Sequence, residues 1–179
     1  LQNQQPTADA VLEPAFDAHH AFQGGRGSGA DVATSALGNT VAFHLEAKRP
    51  VARPAPAVLP PWKAFWTGQS ANTRTFIDAI RQLEARDPER FQQLMRQIQE
   101  TAGTGVDAAI AGDVSAFLTA IHKSADHLRL LAEAANVSIV TAQHELLASS
   151  ASAHGFVSKP SGAGGGDFSL VFGEDGQAL

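Results

Sequence analysis

The chain has 179 residues, a formal charge of −5 from 13 basic and 18 acidic side chains, and a hydrophobic fraction of 44%. This length fits one ordinary domain, or one domain with part of another, and the apolar content is sufficient for a core. Its net negative charge argues against a protein that binds along the phosphate backbone of a nucleic acid. The absence of cysteine excludes disulfides and Cys-ligated zinc. No apolar run is long enough to span a bilayer and no secretory signal precedes the first helix, so we expect a cytoplasmic protein without membrane contact.

The first part of the chain predicts two helices and a strand. Apolar spacing predicts a helix over 8–22, although Pro14 lies inside it. A glycine-rich loop, 24–31, leads into a short predicted helix over 32–37. Residues 41–45 have the β-branched and aromatic character of a strand.

The rest of the chain predicts a second unit in which strands flank consecutive helices. Residues 51–62 are rich in Pro and Ala, which is typical of a connector, and 63–66 predict a buried strand. Four helices follow, opened by Asn72 or Ser70, by Asp87 with Pro88, by Asp113 (to Leu131) and near Thr141 (to Ala153). Strands are predicted at 156–159 and 168–172. This order predicts an α+β domain with its helices on one face of a small antiparallel sheet.

The loop 24–31 is a candidate anion site. Its glycines let backbone N–H groups converge, and the helix that follows adds positive potential at its N-terminus. Asp31 has two interpretations from local sequence. It is either a plain helix N-cap or an ionised carboxylate that faces a substrate hydroxyl during phosphoryl transfer.

Two further segments of the second unit have the composition of an anion site. The loop 161–167 joins two predicted strands with far more glycine than a hairpin needs, so we expect a ligand or another loop to approach its backbone closely. The segment 67–74 gathers hydroxyls, amides and Arg74 at a strand-to-helix turn. Its alternative interpretation is a well-capped helix with an exposed arginine.

Other chemistry is disfavoured by spacing. The pairs His19–His20 and His122–His127 lack the i, i+4 spacing of a helical zinc site, so no metal ligand is predicted. The chain has no Walker A motif, no dinucleotide fingerprint and no nucleophile elbow in a strand–turn–helix setting.

In order and spacing, these segments resemble the GHMP kinase superfamily over nearly the whole chain. The run Gly-Arg-Gly-Ser-Gly-Ala-Asp-Val-Ala at 25–33 resembles its substrate-side loop, and 66–74 resembles the opening of its C-terminal domain. The most specific match is 158–167, Ser-Lys-Pro-Ser-Gly-Ala-Gly-Gly-Gly-Asp, which resembles the third motif of the superfamily. Its final aspartate is closer to the phosphomevalonate kinases than to the mevalonate kinases.

The resemblance implies a division of the chain and a set of site residues. It assigns 1–50 to the last part of the N-terminal domain and 63–179 to the C-terminal domain, with 51–62 between them. Asp31 is implied as the catalytic residue. The residues implied to bind substrate are Gly27, Ser28, Gly29, Asn72, Thr73 and Arg74. Those implied in the active-site loop are Lys159, Ser161, Gly162, Ala163, Gly164, Gly165, Gly166 and Asp167.

The sequence also departs from the pattern of the superfamily. A Pro-x-x-x-Gly-Leu-Gly-Ser-Ser-Ala loop for ATP phosphates and a catalytic lysine are missing, and we expect both upstream of Leu1. Asn39 stands where a second glycine is common, and Phe168 where cysteine is frequent. We therefore expect these 179 residues to be part of a longer enzyme and to be inactive alone.

The function implied is phosphoryl transfer from ATP, with Mg²⁺, to the phosphate of 5-phosphomevalonate. The alternatives left open are a mevalonate kinase or another small-molecule kinase, and a non-catalytic metabolite-binding protein. The expected partners are a small anionic substrate and ATP, without nucleic acid. The oligomeric state is not predicted.

Overall fold

The computed structural model describes residues 8–24, 27–47 and 49–173. Its contacts divide the chain into two units, 1–57 and 58–179. In the described residues no helix is long and apolar enough to cross a membrane.

In its described residues the first unit has two helices and a β-hairpin. Its elements are α1 (Ala8–Phe22), α2 (Ala30–Leu37), β1 (Val41–Glu46) and β2 (Arg49–Pro54). Strands β1 and β2 pair antiparallel, with Val41 opposite Pro54 and Glu46 opposite Arg49. The helices and β1 confirm the elements predicted from the sequence.

Strand β2 corrects the prediction that 51–62 is only a connector, because 51–54 belong to this hairpin. Proline favoured the connector interpretation since it cannot donate to a ladder. A two-stranded sheet leaves one side of each strand unpaired, so Pro50 and Pro54 fit there without breaking the pairing.

Over residues 58–173 the second unit packs four helices with a three-stranded antiparallel sheet, which confirms the predicted α+β fold class. Its elements are β3 (Trp62–Trp66), α3 (Thr73–Arg86), α4 (Pro88–Ala111), α5 (Val114–Ala135), α6 (Ala142–Ala153), β4 (Val157–Pro160) and β5 (Phe168–Phe172). The strand order is β3-β5-β4, so the last strand in sequence lies in the centre. Phe117 of α5 meets Phe172 of β5 edge-on, with ring centroids 5.5 Å apart.

Apolar side chains of α3, α4 and α5 form the main core of the second unit. Leu83, Leu94 and Leu131 are buried there together with Ile139, which follows α5. The i, i+3, i+4 spacing of the apolar residues predicts these helices because it places them on one face. Strand β3 is different: it was predicted to be buried, but it is an edge strand whose five residues are all exposed.

Side-chain caps fix the starts of the helices where the sequence predicts them. Asn72, Asp87 and Asp113 each accept a hydrogen bond from the backbone N–H three residues on, at 3.5, 3.0 and 2.9 Å. Such caps satisfy N–H groups that have no partner within the helix. Helix α5 continues to Ala135, one turn beyond the predicted Leu131.

A reciprocal cap opens α6. The Thr141 hydroxyl accepts from the His144 N–H at 3.4 Å, and the His144 ring accepts from the Thr141 N–H at 3.2 Å through Nδ1. His144 is 1% exposed. Burial lowers its pKa, against smaller opposing effects of the Phe168 backbone, the Glu145 carboxylate and the Gly166 backbone.

We expect this buried histidine to make folding stability depend on pH. Its pKa in the folded chain lies below the unfolded value of about 6.5, so the unfolded state takes up the proton first. The free energy of unfolding should therefore decrease as pH falls below that value, by at most about 1.4 kcal/mol per pH unit. The decrease should level off only below the folded-state pKa.

Urea unfolding of the wild type and His144→Gln between pH 5 and 8 measures this contribution. Glutamine cannot titrate, so its profile should be flatter over the acidic part of the range. His154→Gln is the matched control, because His154 is an exposed histidine at the opposite end of the same helix. Parallel wild-type and His144→Gln profiles would contradict the prediction.

Candidate functional site

The glycine-rich loop 161–167 joins β4 to β5 and is held at its base by the backbone. The Ser161 N–H donates to the Phe168 carbonyl at 2.8 Å, and the Gly164 N–H donates to the Ser161 carbonyl at 3.3 Å. Gly162 and Ala163 form an exposed tip. Within the described chain their N–H groups donate to no protein acceptor, so the tip presents two free backbone donors to a ligand.

Three consecutive glycines dock this loop against two different walls. A Cβ on Gly164 would overlap the carbonyl oxygen of Ile139, and one on Gly165 would overlap the ring of Phe76. A Cβ on Gly166 would lie 2.7 Å from the carbonyl oxygen of Gln69, in the turn that leads into α3 and thus towards Phe76. The close approach expected from the composition is therefore an approach to the protein itself on at least one side of the loop.

Positive φ angles add to this requirement. Gly165 has φ +77° and Gly166 has φ +151°, which side chains rarely allow. The Gly165 N–H also donates to the Ile139 carbonyl at 2.6 Å, which fastens the loop to the segment before α6.

The segment between β3 and α3 forms the second wall and is joined to the loop through Asp167. The Thr67 N–H and hydroxyl both donate to the Asp167 carbonyl, at 2.8 and 3.0 Å. In return the Asp167 N–H donates to the Gln69 carbonyl at 2.7 Å, and its carboxylate accepts from the Ala71 N–H at 3.4 Å. The structure thus brings together the two segments of this unit that the sequence singled out.

The first turn of α3 lies next to this junction. Asn72 is the N-cap, so its side-chain oxygen is used by the helix. Thr73 and Arg74 follow it and are exposed. A helix N-terminus attracts anions through its N–H groups and its dipole, and Arg74 adds a full positive charge there.

Lys159 lies on β4, two residues before the loop 161–167. Burial lowers the pKa of its ammonium group. The Nζ donates to the Pro160 carbonyl at 2.7 Å, and among the described residues no carboxylate pairs with it. A partly desolvated ammonium without a counter-charge gains more from an anion than an exposed one does.

The first unit carries the other predicted loop, of which Gly25 and Arg26 lie outside the described residues. Gly29 is the N-cap of α2 with φ +76°, and a Cβ there would lie 2.5 Å from the ring of Phe16. The Ser28 hydroxyl accepts from the Ala30 N–H at 3.3 Å.

Asp31 is not the N-cap of α2, which removes the simpler of its two interpretations. It lies in the first turn, where the helix dipole favours a carboxylate, and its side chain is 73% exposed. Among the described residues its ion-pair partner is His19, whose Nε2 lies 3.9 Å from the Asp31 carboxylate and which is a cation only when its ring is protonated. Most of the carboxylate therefore faces solvent.

The described residues offer no cluster of side chains that could bind a metal ion. Across the residues that the structure describes, no three His, Asp or Glu side chains gather in a way that could hold an ion.

The residue that sequence reasoning missed is His144, which lies beneath the loop 161–167. Its only sequence signal is the Thr-x-x-His spacing, which resembles a capping box with histidine in place of the usual Glu or Gln.

A scan against models of protein families finds no match for this chain. The curated proteins include the phosphomevalonate kinase of Streptomyces sp. (strain CL190), which is 28% identical over 169 residues. That alignment takes in 82% of this chain and 45% of the relative.

Two solved structures share the fold. The crystal structure of a Lin0012 protein from Listeria innocua superposes with a TM-score of 0.86 at 21% identity, over 96% of this chain and 54% of that one. The crystal structure of L. major mevalonate kinase in complex with R-mevalonate gives 0.77 at 18% identity, over 96% and 51%.

The chain therefore spans about half the length of the relatives that it matches. The structural neighbours agree with the α+β fold of a GHMP kinase C-terminal domain, as the sequence predicts. Taken with the curated match, they relate this chain to the GHMP kinase superfamily.

Proposed function

We propose that this chain forms the acceptor-binding part of a kinase that phosphorylates 5-phosphomevalonate to mevalonate 5-diphosphate. The observation that carries the proposal is the junction of the loop 161–167 with the start of α3, which joins a loop with free backbone N–H groups to a helix N-terminus. Lys159 lies on β4, two residues before this loop. These groups attract an anion, and 5-phosphomevalonate carries a carboxylate and a phosphate. The choice of acceptor rests on the curated relative and on the Gly-Gly-Gly-Asp ending of the loop.

The proposal extends to both units of the chain. Residues 1–50 are assigned to the last part of the N-terminal domain and 63–179 to the C-terminal domain. Asp31, Gly27, Ser28 and Gly29 are assigned to the acceptor side, together with Asn72, Thr73 and Arg74. The active-site loop comprises Lys159 and 161–167.

In the proposed reaction an oxygen of the acceptor phosphate attacks the γ-phosphorus of ATP. The new P–O bond forms as the bond to the β,γ-bridging oxygen breaks, and that electron pair leaves with ADP. Such a transition state needs positioning and charge stabilisation more than covalent help. In this proposal Lys159 and the free N–H groups of the loop tip position the anionic acceptor and stabilise its negative charge.

ATP brings Mg²⁺ as the usual counter-ion of its phosphates. The sequence has no Pro-x-x-x-Gly-Leu-Gly-Ser-Ser-Ala loop for those phosphates, and the described residues present no carboxylate cluster for the ion. The residues of this chain therefore fit the acceptor rather than the nucleotide, and no step is assigned to the metal.

The test is ADP release with ATP and Mg²⁺, comparing 5-phosphomevalonate with mevalonate. It uses the protein as its gene encodes it, beside the 179-residue chain. We expect turnover only with the phosphorylated acceptor, and none from the 179 residues alone. Turnover with mevalonate alone would assign a mevalonate kinase, while binding of either acid without turnover would favour a metabolite-binding protein.

Asp31→Asn separates the two kinases further. A phosphate acceptor is already ionised near pH 7 and needs no base, so kcat should fall by less than about tenfold. A hydroxyl acceptor must lose a proton, and removal of its base should lower kcat by about 10²- to 10⁴-fold. Asp17→Asn, on the exposed face of α1, is the charge-matched control. A loss above about 10²-fold with 5-phosphomevalonate would contradict the proposed role of Asp31.

Gly165→Ala tests whether docking of the loop matters. The added methyl would overlap the Phe76 ring, so the loop must move, and a displacement of about 1 Å should lower kcat/KM by about 10²-fold. Gly155→Ala is the control, because its φ of +79° is nearly the same but no atom lies within 4 Å of the new Cβ.

Adding Phe76→Ala to Gly165→Ala should restore part of the activity, since it removes the overlapping ring. Equal losses in Gly165→Ala and Gly155→Ala would attribute the effect to backbone strain and would contradict the role of docking.

A further inference from the structure

His144 is a buried histidine that none of the proposed chemistry uses. Only 1% of it is exposed, and it belongs to α6, which packs on β4 and β5 at the two ends of the loop 161–167. Burying an imidazole that has both a donor and an acceptor is unfavourable unless both are satisfied. We therefore expect each of its two ring nitrogens to have a hydrogen-bond partner.

Contacts at Nδ1 fix the tautomer. The Thr141 backbone N–H lies 3.2 Å from Nδ1, and a backbone N–H can only donate. Nδ1 must therefore carry the lone pair, and in the neutral ring the proton is on Nε2. The Thr141 hydroxyl, 3.0 Å from Nδ1, can donate to the same nitrogen.

The opposite nitrogen, Nε2, is buried and has no hydrogen-bond partner among the residues that the structure describes. The carbonyls of Phe168 and Gly166 nevertheless act on this ring, since both favour its protonated form. Because Thr141 occupies Nδ1, the Nε2–H is the ring group left to donate to them. The Phe168 carbonyl already accepts from Ser161, whereas in the described chain no donor is bonded to the Gly166 carbonyl.

The Nε2–H is thus a buried donor without a partner in the described chain, and the Gly166 carbonyl is a nearby acceptor to which no donor is bonded. Gly166 belongs to a loop of small residues, so a slight movement of its peptide would complete the bond and remove two unsatisfied groups. Histidine suits this place because its two nitrogens can serve the cap of α6 and the loop at once.

We propose that His144 is a positioning residue that holds the loop 161–167 in its docked state by donating from Nε2–H to the Gly166 carbonyl. The bond ties the loop to the start of α6, as Asp167 ties it to the start of α3. The functional importance of this hydrogen bond rests on the proposed function, because that function assigns the loop to the anionic acceptor. The bond itself is a property of the ligand-free protein.

Two substitutions at position 144, which introduce side chains of different length, test the proposal. His144→Gln keeps an amide donor near the position of Nε2, whereas the shorter His144→Asn reaches only the position of Nδ1 and can serve only the cap. His154→Gln is the control, because His154 is exposed and bonds the Ser150 carbonyl within its own helix.

Amide hydrogen exchange in the ligand-free protein is the readout. The Gly165 and Asp167 amides report docking, since they donate to Ile139 and Gln69 across the two walls. We expect His144→Asn to speed their exchange about tenfold, the effect of losing one hydrogen bond, and His144→Gln to stay within about threefold of wild type. Equal exchange in the Asn and Gln variants would overturn the proposal.

A measurement on the wild type guards against misfolded variants. Nitrogen-15 NMR of the imidazole should find the proton on Nε2 and a through-bond coupling to the Gly166 carbonyl. A proton on Nδ1 would overturn the proposal without any mutation. Since neither experiment needs a substrate, failure of the kinase assay would leave this result standing, and failure here would leave the kinase assignment standing.

Discussion

The structure of the second unit depends on one constraint: a glycine backbone must fit between two walls where no side chain has room. Ile139 stands on one side of the loop, and Phe76 with Gln69 stands on the other. Glycine lowers stability in most settings because it widens the unfolded ensemble. Here that loss is offset by hydrogen bonds from Gly165 and Asp167 to both walls, which need the backbone to come this close.

The surrounding elements keep the two walls in place. The Asn72 cap fixes where α3 begins and so where the turn at 67–71 presents its backbone, while Thr141 fixes the start of α6 beneath the loop. The core of Leu83, Leu94, Leu131 and Ile139 joins the helices that carry these walls. Ile139 therefore contributes in two ways, since its side chain packs in the core and its carbonyl accepts the hydrogen bond from the Gly165 N–H.

Local signals in the sequence predicted the features that depend on near neighbours. Helix positions and the caps at Asn72, Asp87 and Asp113 follow from spacing within a few residues, and the α+β order follows from these elements. Strand β2, the exposure of β3 and the role of His144 depend on partners distant in sequence, which periodicity does not encode. For the site, composition singled out the loop 161–167 and the segment 67–74, but not the hydrogen bonds through Asp167 that join them.

The two interpretations of Asp31 now differ in physical terms. A plain cap requires the side-chain oxygen to accept from the first helical N–H groups, yet Gly29 occupies the N-cap and supplies no side chain. The helix therefore begins without using the Asp31 carboxylate, which stays largely exposed in the positive potential of the first turn. A carboxylate that the fold does not use for capping and that stays largely exposed is free for the role in orienting an acceptor that we propose for Asp31.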